Sequence, residues 1–153
     1  MNTIENLEPT AKSSFKDLYA LLKPRVMWLA VFTAAVGIII APTQDNIFLS
    51  FIILLCISIG AGAAGVLNMW WDKEIDNVME RTSGRPLPNE KISSDDAFVF
   101  GVSLSIFSVM FLGLVSNWLA AFLLGVTIFF YLVIYSIFLK KTTPQNIVIG
   151  GAS

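Results

Sequence analysis

The chain has 153 residues, of which 56% are hydrophobic and 14% are charged, and its formal net charge is −1. A soluble domain of this length carries about a quarter charged residues, so the composition argues against a soluble globular protein. We expect a lipid bilayer and no nucleic acid among its partners. The absence of histidine excludes bis-histidine haem ligation and histidine-based zinc sites from this chain.

The amino-terminal segment, residues 1–22, is polar and predicted to be cytoplasmic. A secretory signal peptide would instead be basic and then apolar, so we expect the first apolar span to remain as a membrane anchor. Residues 1–13 are expected to be disordered. Residues 14–17, Ser-Phe-Lys-Asp, resemble a helix-capping box. Apolar residues then recur at helical spacing, which predicts a short interfacial helix leading to Pro24.

Three long runs without Asp, Glu, Lys or Arg predict an all-α, multi-pass bundle, because one membrane span needs about 20 apolar residues. The third run is too long for one helix and has a break at residues 116–118, Ser-Asn-Trp. The predicted spans are about 24–42, 47–71, 97–115 and 119–139. With four spans, every basic residue falls on one side, so the amino terminus and the loop 72–95 are predicted to be cytoplasmic.

The second span is predicted to be central in the bundle. Small residues four apart, such as Gly60 with Ala64, let helices approach closely in lipid. Cys56, the only cysteine, is expected to be a small buried hydrophobe. Trp70 and Trp71 suit anchoring at the membrane interface.

Polar residues at helical spacing follow this span. Asn68, Asp72 and Asp76 are four apart, so on a helix they form one stripe with steps of about 6 Å along the axis. Mg²⁺ prefers such oxygen ligands and usually adds phosphate oxygens and water. Arg81 and Arg85 follow and suit bidentate phosphate recognition. The stripe therefore predicts half of a metal–diphosphate site above an apolar bundle, as in an enzyme acting on a lipid diphosphate.

A second interpretation of these charges stays open at this point. Acids and bases at a helix end often form a solvated face, and the spacing of two aspartates alone is a weak signal. The chain would then be a non-catalytic membrane protein or part of a transporter.

Residues 142–153 resemble the start of a fifth span that ends after a few apolar residues. Such a helix is too short to cross a bilayer, so we expect the chain to be one part of a larger protein.

Three segments carry a resemblance to a known family. The stretch "NMWWDKEIDNVMERTSGRPLP" at 68–88 resembles the first aspartate-rich motif of the UbiA superfamily of intramembrane prenyltransferases. Together with "LLKPRVMWLAVFTAAVG" at 21–37 and "LKKTTPQNIVIGGAS" at 139–153, it is similar to the protohaem IX (protoheme IX) farnesyltransferase branch. The resemblance makes residues 23–153 a partial UbiA-type membrane domain.

The resemblance also implies a set of site residues. Asp72 and Asp76 would ligate Mg²⁺ bound to farnesyl diphosphate, with Asn68 assisting. Arg81 and Arg85 would contact diphosphate oxygens or order the loop over the site. Lys140 and Asn146 are weaker candidates for the same role. Lys23 and Arg25 fit inside-positive anchors better than substrate contacts. The family has about nine spans and two aspartate-rich motifs. Only the first motif lies in this chain, so we expect the chain alone to be inactive.

The reaction that the resemblance implies is farnesyl transfer to a vinyl group of protoheme IX, which gives heme O for cytochrome oxidase biogenesis. Heme A synthase is then an expected partner, and a bacterial or mitochondrial inner membrane the expected location. An alternative within the same metal chemistry is prenylation of 4-hydroxybenzoate or another aromatic acceptor.

Overall fold

The computed structural model describes residues 15–41, 46–80, 82–140 and 148. Every regular element in these ranges is helical. In chain order they are α1 (Phe15–Leu21), α2 (Pro24–Ile40), α3 (Ile47–Trp71), α4 (Lys73–Val78), α5 (Ser94–Val115), α6 (Trp118–Phe129) and a π-helical continuation of α6, Phe130–Leu139, here called the π segment. The predicted all-α bundle is therefore confirmed. The capping box and the start of a fifth span include residues outside the described ranges.

Three of the described helices are long and apolar enough to cross a membrane: Ile47–Trp71, Ser94–Val115 and Trp118–Leu139. They correspond to three of the four predicted spans. The fourth, α2, has 17 residues, or about 26 Å of helix, which is at the lower limit for a span. It ends at Ile40, so it is shorter than the predicted range 24–42, and residues 42–45 lie outside the description.

Three of the helices, α3, α5 and α6, start at a polar capping residue. The side chains of Asn46, Ser93 and Asn117 accept hydrogen bonds from backbone N–H groups two or three residues later. Such bonds satisfy donors that the first helical turn leaves unpaired. Asn117 accepts from Ala120 at 2.8 Å, which confirms the predicted break between the last two spans.

Helix α3 lies at the centre, in contact with α2, α5, α6 and the π segment. Its small residues Gly60, Gly62, Ala63, Ala64 and Gly65 are buried, as is Cys56. A Cβ atom on Gly60 would lie 3.0 Å from a Leu124 methyl carbon and 3.1 Å from Ser108 Oγ. The glycines thus permit the close approach of neighbouring helices that the sequence predicts.

One end of the bundle, here called the polar end, collects the start of α2, the end of α3, the start of α5 and the end of the π segment. A small apolar core closes it, formed by Leu21, Val66, Met69, Leu87, Ile92 and Ala97. This core joins α1 and the loop after α4 to the end of α3. Trp70 packs on Phe98 with ring centroids 4.7 Å apart, so it contributes to packing here.

Helix α1 has the two-sided exposure expected of an interfacial helix. Its residue Leu21 is fully buried, whereas Phe15 is 83% exposed and Tyr19 is 50% exposed. Asp17 lies 3.9 Å from the Lys91 ammonium, which ties α1 to the loop before α5.

Candidate functional site

The predicted polar stripe exists. The Asp72 N–H donates to the Asn68 carbonyl at 3.0 Å, and the Asp76 N–H donates to the Asp72 carbonyl at 2.8 Å. This four-residue hydrogen-bond pattern continues across the junction of α3 and α4, so the three side chains share one face. Asn68, Asp72 and Asp76 are only 3%, 1% and 3% exposed. Their burial argues against the interpretation of a solvated helix end.

Three cations from three other parts of the chain hold this stripe. The Arg85 guanidinium pairs with Asp76 Oδ2. The Lys140 ammonium lies 2.5 Å from Asp72 Oδ2. The Lys23 ammonium donates to Asn68 Oδ1. We call these six residues the polar cluster: Lys23, Asn68, Asp72, Asp76, Arg85 and Lys140.

Arg85 reaches Asp76 because the intervening loop folds back through consecutive turns. The buried Thr82 hydroxyl donates to the Asp76 carbonyl at 3.0 Å. The Arg85 N–H in turn donates to the Thr82 carbonyl at 3.0 Å. Predicted site residues Arg81 and Asn146 lie outside the described residues, so they stay predictions.

Lys23 sits at the corner between α1 and α2, in a left-handed backbone conformation with φ 51°. Two glycines of α3, Gly62 and Gly65, pack against Leu22 at this corner. A Cβ on Gly65 would lie 3.1 Å from the Leu22 carbonyl oxygen, and one on Gly62 would lie 2.8 Å from Leu22 Cδ2. The corner therefore rests on α3 one turn before Asn68. Lys23 therefore contacts Asn68, and its role as an inside-positive anchor stays a prediction.

The environment of Lys23 is unusual for a surface anchor. Burial, and next the Arg85 guanidinium, lower the pKa of the Lys23 ammonium from 10.5 to about 8. Asp72 and Asp76 oppose this shift in pKa, and Lys140 adds to it. Arg25, by contrast, is exposed, as an anchor would be. The sequence signal for Lys23 is its position directly before Pro24.

The polar cluster carries an excess of positive charge. Its three cations and two carboxylates give a formal charge of 3 − 2 = +1, and its acids are buried. Opposite charges act more strongly in such a low-dielectric setting than in water. The cluster is therefore suited to an anionic ligand with several oxygens.

One carboxylate oxygen of the cluster has no hydrogen-bond partner among the described residues. This oxygen, Asp72 Oδ1, is buried, although such groups are normally paired. The described residues contain no group of three or more His, Cys, Asp or Glu that could hold a metal. Two carboxylates with one open oxygen fit Mg²⁺, which usually takes one or two carboxylates and completes its shell with phosphate and water.

Ser136 and Tyr131 belong to the surroundings of the cluster and were missed from the sequence. The Asn68 amide nitrogen donates to Ser136 Oγ at 2.7 Å, and the Ser136 hydroxyl donates to the Tyr131 carbonyl at 2.8 Å. A signal existed, because Ser136 precedes Lys140 by four residues within an otherwise apolar and aromatic stretch.

An apolar groove is lined in part by a residue next in sequence to a member of the polar cluster. It is a cavity of about 410 Å³ between α3, α5 and α6, and its lining includes Leu67, Val102, Ile106, Met110, Phe129 and Leu132. Leu67 directly precedes Asn68, and Leu132 lies one turn before Ser136. Small-molecule sites commonly have volumes of about 300–1,000 Å³, so the groove can accept an apolar chain.

Comparison with known proteins adds a family assignment. Residues 30–153 match the UbiA prenyltransferase family. The chain is 57% identical over 150 residues to protoheme IX farnesyltransferase of Sinorhizobium fredii, an alignment that covers 98% of this chain and 47% of the relative. The corresponding enzyme of Bartonella quintana is 59% identical over 142 residues, with coverage of 93% and 46%. That of Paracoccus denitrificans is 55% identical over 153 residues, with coverage of 100% and 50%. The chain thus spans about half the length of the curated relatives it matches. No solved structure matches it.

Proposed function

Because the chain belongs to the UbiA prenyltransferase family, we propose that the whole protein transfers the farnesyl group of farnesyl diphosphate to a vinyl group of protoheme IX, giving heme O. The names of the curated relatives support the choice of substrates. The observation that carries the proposal is the buried polar cluster, in which two carboxylates, one with an open oxygen, lie beside three cations.

Asp72 and Asp76 would hold Mg²⁺, with Asn68 assisting and the diphosphate completing the shell. When bound, the ion neutralises negative charge on the diphosphate and so favours its departure. The open Asp72 Oδ1 supports this role. Asp76 Oδ1 and Asn68 Oδ1 add further oxygen donors on the same face.

The cations would bind the diphosphate oxygens. Arg85 and Lys140 are 29% and 32% exposed in their side chains, so a ligand can reach them while the carboxylates stay covered. Their donors would stabilise the charge that builds on the diphosphate as the allylic C–O bond breaks. The Lys23 ammonium, which contacts Asn68 in the same cluster, would add a third positive charge. Arg81 and Asn146 remain proposed contributors to diphosphate binding.

The apolar groove would hold the farnesyl chain and exclude water from it. The C–O bonding pair leaves with the diphosphate, and the π electrons of the heme vinyl group form the new C–C bond. Water then adds to the resulting cation and loses a proton, which gives the hydroxyethylfarnesyl side chain. The lack of histidine in this chain is compatible with heme as a substrate that the chain need not ligate.

The chain is an integral membrane protein, and we propose a bacterial plasma membrane or a mitochondrial inner membrane as its location. The basic residues favour a cytoplasmic or matrix side for the amino terminus and the loop 72–95. Heme A synthase, which would consume heme O, is the proposed partner.

A chimera tests the function. Residues 1–153 replace the matched segment of the Sinorhizobium fredii relative, and heme O is measured by mass spectrometry with farnesyl diphosphate, protoheme IX and Mg²⁺. We expect heme O from the chimera and at least 100-fold less from its Asp72→Asn or Asp76→Asn variants, with membrane insertion unchanged. Asp96→Asn, which removes a carboxylate near the start of α5 outside the polar cluster, is the matched control. Normal heme O formation by both cluster variants would contradict the proposal.

The same chimera separates the alternatives. With 4-hydroxybenzoate in place of protoheme IX, a prenylated aromatic product would favour the other acceptor class. Binding of farnesyl diphosphate that is indifferent to Mg²⁺ would favour a non-catalytic membrane protein.

A further inference from the structure

The π segment gives Ser136 an unusual hydrogen bond. A serine in an α-helix bonds to the carbonyl three or four residues earlier. Ser105 Oγ donates to the Gly101 carbonyl, and Ser108 Oγ to the Ser105 carbonyl. Ser136 Oγ instead donates to the carbonyl of Tyr131, five residues earlier, at 2.8 Å. π-Helical turns are rare and often lie at functional sites, and this one faces the polar cluster.

This bond fixes what Ser136 can offer to Asn68. A carbonyl oxygen carries no hydrogen, so the Ser136 O–H is the donor toward Tyr131. A hydroxyl has a single donor, so Ser136 can only accept from Asn68. Asn68 must therefore present its amide nitrogen, which lies 2.7 Å from Ser136 Oγ.

The amide oxygen of Asn68 is constrained in the same way by its own hydrogen-bond partner. The Lys23 ammonium has donors and no acceptor, so it requires the carbonyl oxygen Oδ1, to which it donates. A reversed amide would direct its N–H groups at the ammonium and its oxygen at an acceptor. Asn68 is 3% exposed and Ser136 is fully buried, so no bulk water can compensate such a mismatch.

We propose that Ser136 is a positioning residue that sets the orientation of the Asn68 amide. It thereby directs Oδ1 toward Lys23, where this oxygen can assist the carboxylates that would hold Mg²⁺. The π-helical backbone places the Tyr131 carbonyl within hydrogen-bonding distance of the Ser136 hydroxyl, so the single O–H donor of Ser136 is already engaged. The catalytic consequence rests on the proposed function above, whereas the orientation itself does not.

The orientation is tested by amide hydrogen exchange in the full chain, labelled with ¹⁵N-asparagine and reconstituted in lipid nanodiscs. We expect Ser136→Ala to speed exchange of the Asn68 side-chain N–H at least tenfold, the order expected when a buried amide loses its partner. Ser108→Ala is the control, because Ser108 is equally buried and its hydroxyl donates to the backbone carbonyl of Ser105. Unchanged exchange in Ser136→Ala would overturn the proposal. If Ser136→Ala does not accumulate, Ser136→Thr is tested instead, because threonine keeps a hydroxyl that can both donate and accept. We expect the Asn68 side-chain N–H in Ser136→Thr to exchange as slowly as in the wild type. Faster exchange in Ser136→Thr would also overturn the proposal.

The role in turnover is tested in the chimera by a double-mutant cycle. Ser136→Ala is expected to lower kcat for farnesyl transfer about tenfold alone, but less than twofold in an Asn68→Ala background. Equal effects in both backgrounds would show that Ser136 acts independently of Asn68 and would refute its positioning role. A wild-type chimera without farnesyl transfer would refute the proposed function instead, and the exchange experiment would still decide the orientation.

Discussion

Replacing Gly65 by alanine tests whether the corner that carries Lys23 depends on contact with α3. The added Cβ would lie 3.1 Å from the Leu22 carbonyl oxygen and 3.4 Å from the carbonyl carbon. Both are backbone atoms, so the clash cannot be relieved by a side-chain rotation. The corner must move away from α3 by a few tenths of an ångström, and Lys23 moves with it.

The expected magnitude follows from two opposing effects. Overpacking a well-packed contact costs about 1–3 kcal/mol, and alanine gains about 0.5–1 kcal/mol over glycine within a helix. The net destabilisation is therefore about 1 kcal/mol, or about fivefold in the folding equilibrium. Gly62→Ala meets the flexible end of Leu22 at 2.8 Å, so it should cost less. Gly37→Ala has nothing within 4 Å and should be neutral or stabilising.

Cys56 makes the measurement simple, because it is the only cysteine and is 2% exposed. A thiol-reactive dye therefore reports unfolding on heating. We expect the midpoint to fall in the order Gly37→Ala, Gly62→Ala, Gly65→Ala, and the affinity of the chimera for farnesyl diphosphate to fall in the last. An unfolding midpoint for Gly65→Ala that equals or exceeds the midpoint for Gly37→Ala would refute the reasoning.

Three further predictions concern the site. Asp72→Asn in the chimera should lower heme O formation at least 100-fold while Asp96→Asn stays within twofold, measured by mass spectrometry; similar rates would contradict a role for the carboxylate. Lys140→Met should destabilise the chain by about 3–5 kcal/mol, because it leaves the buried Asp72 carboxylate without its cation, and Lys140→Arg should restore most of the dye-reported midpoint. Gly125→Leu, which fills the apolar groove, should raise KM for farnesyl diphosphate about tenfold and leave binding of inorganic pyrophosphate unchanged. Equally weakened binding of farnesyl diphosphate and pyrophosphate would indicate that the farnesyl chain does not bind in the groove.

Periodicity accounts for what the sequence predicts well. The stripe Asn68–Asp72–Asp76 follows from the four-residue step of a helix, and the structure keeps that step across the α3–α4 junction. The charge-free runs predict the long helices for a different reason. In lipid the backbone must satisfy its hydrogen bonds internally, and a helix does so within one segment. Lys140 was a weaker candidate, and the structure places it against Asp72.

Tertiary contacts account for what the sequence misses. The position of Lys23 depends on a left-handed corner resting on glycines some forty residues later, and no local pattern encodes that pairing. The π segment reads "FYLVIYSIFL", an apolar pattern equally compatible with an α-helix. Its register, and hence the role of Ser136, depends on how α6 meets α3.

The ion pair between Asp72 and Lys140 joins residues that are synthesised at different times. Asp72 and Lys140 are 68 positions apart, so at about 5–20 residues per second the ribosome delivers the lysine roughly 3–14 s after the aspartate. During that interval the Asp72 carboxylate is without the lysine that pairs with it in the folded protein. A chain arrested before Lys140 should therefore lack the ion pair that covers Asp72 in the folded protein, and Asp72 should then react faster with a carboxylate-specific reagent than in the full chain.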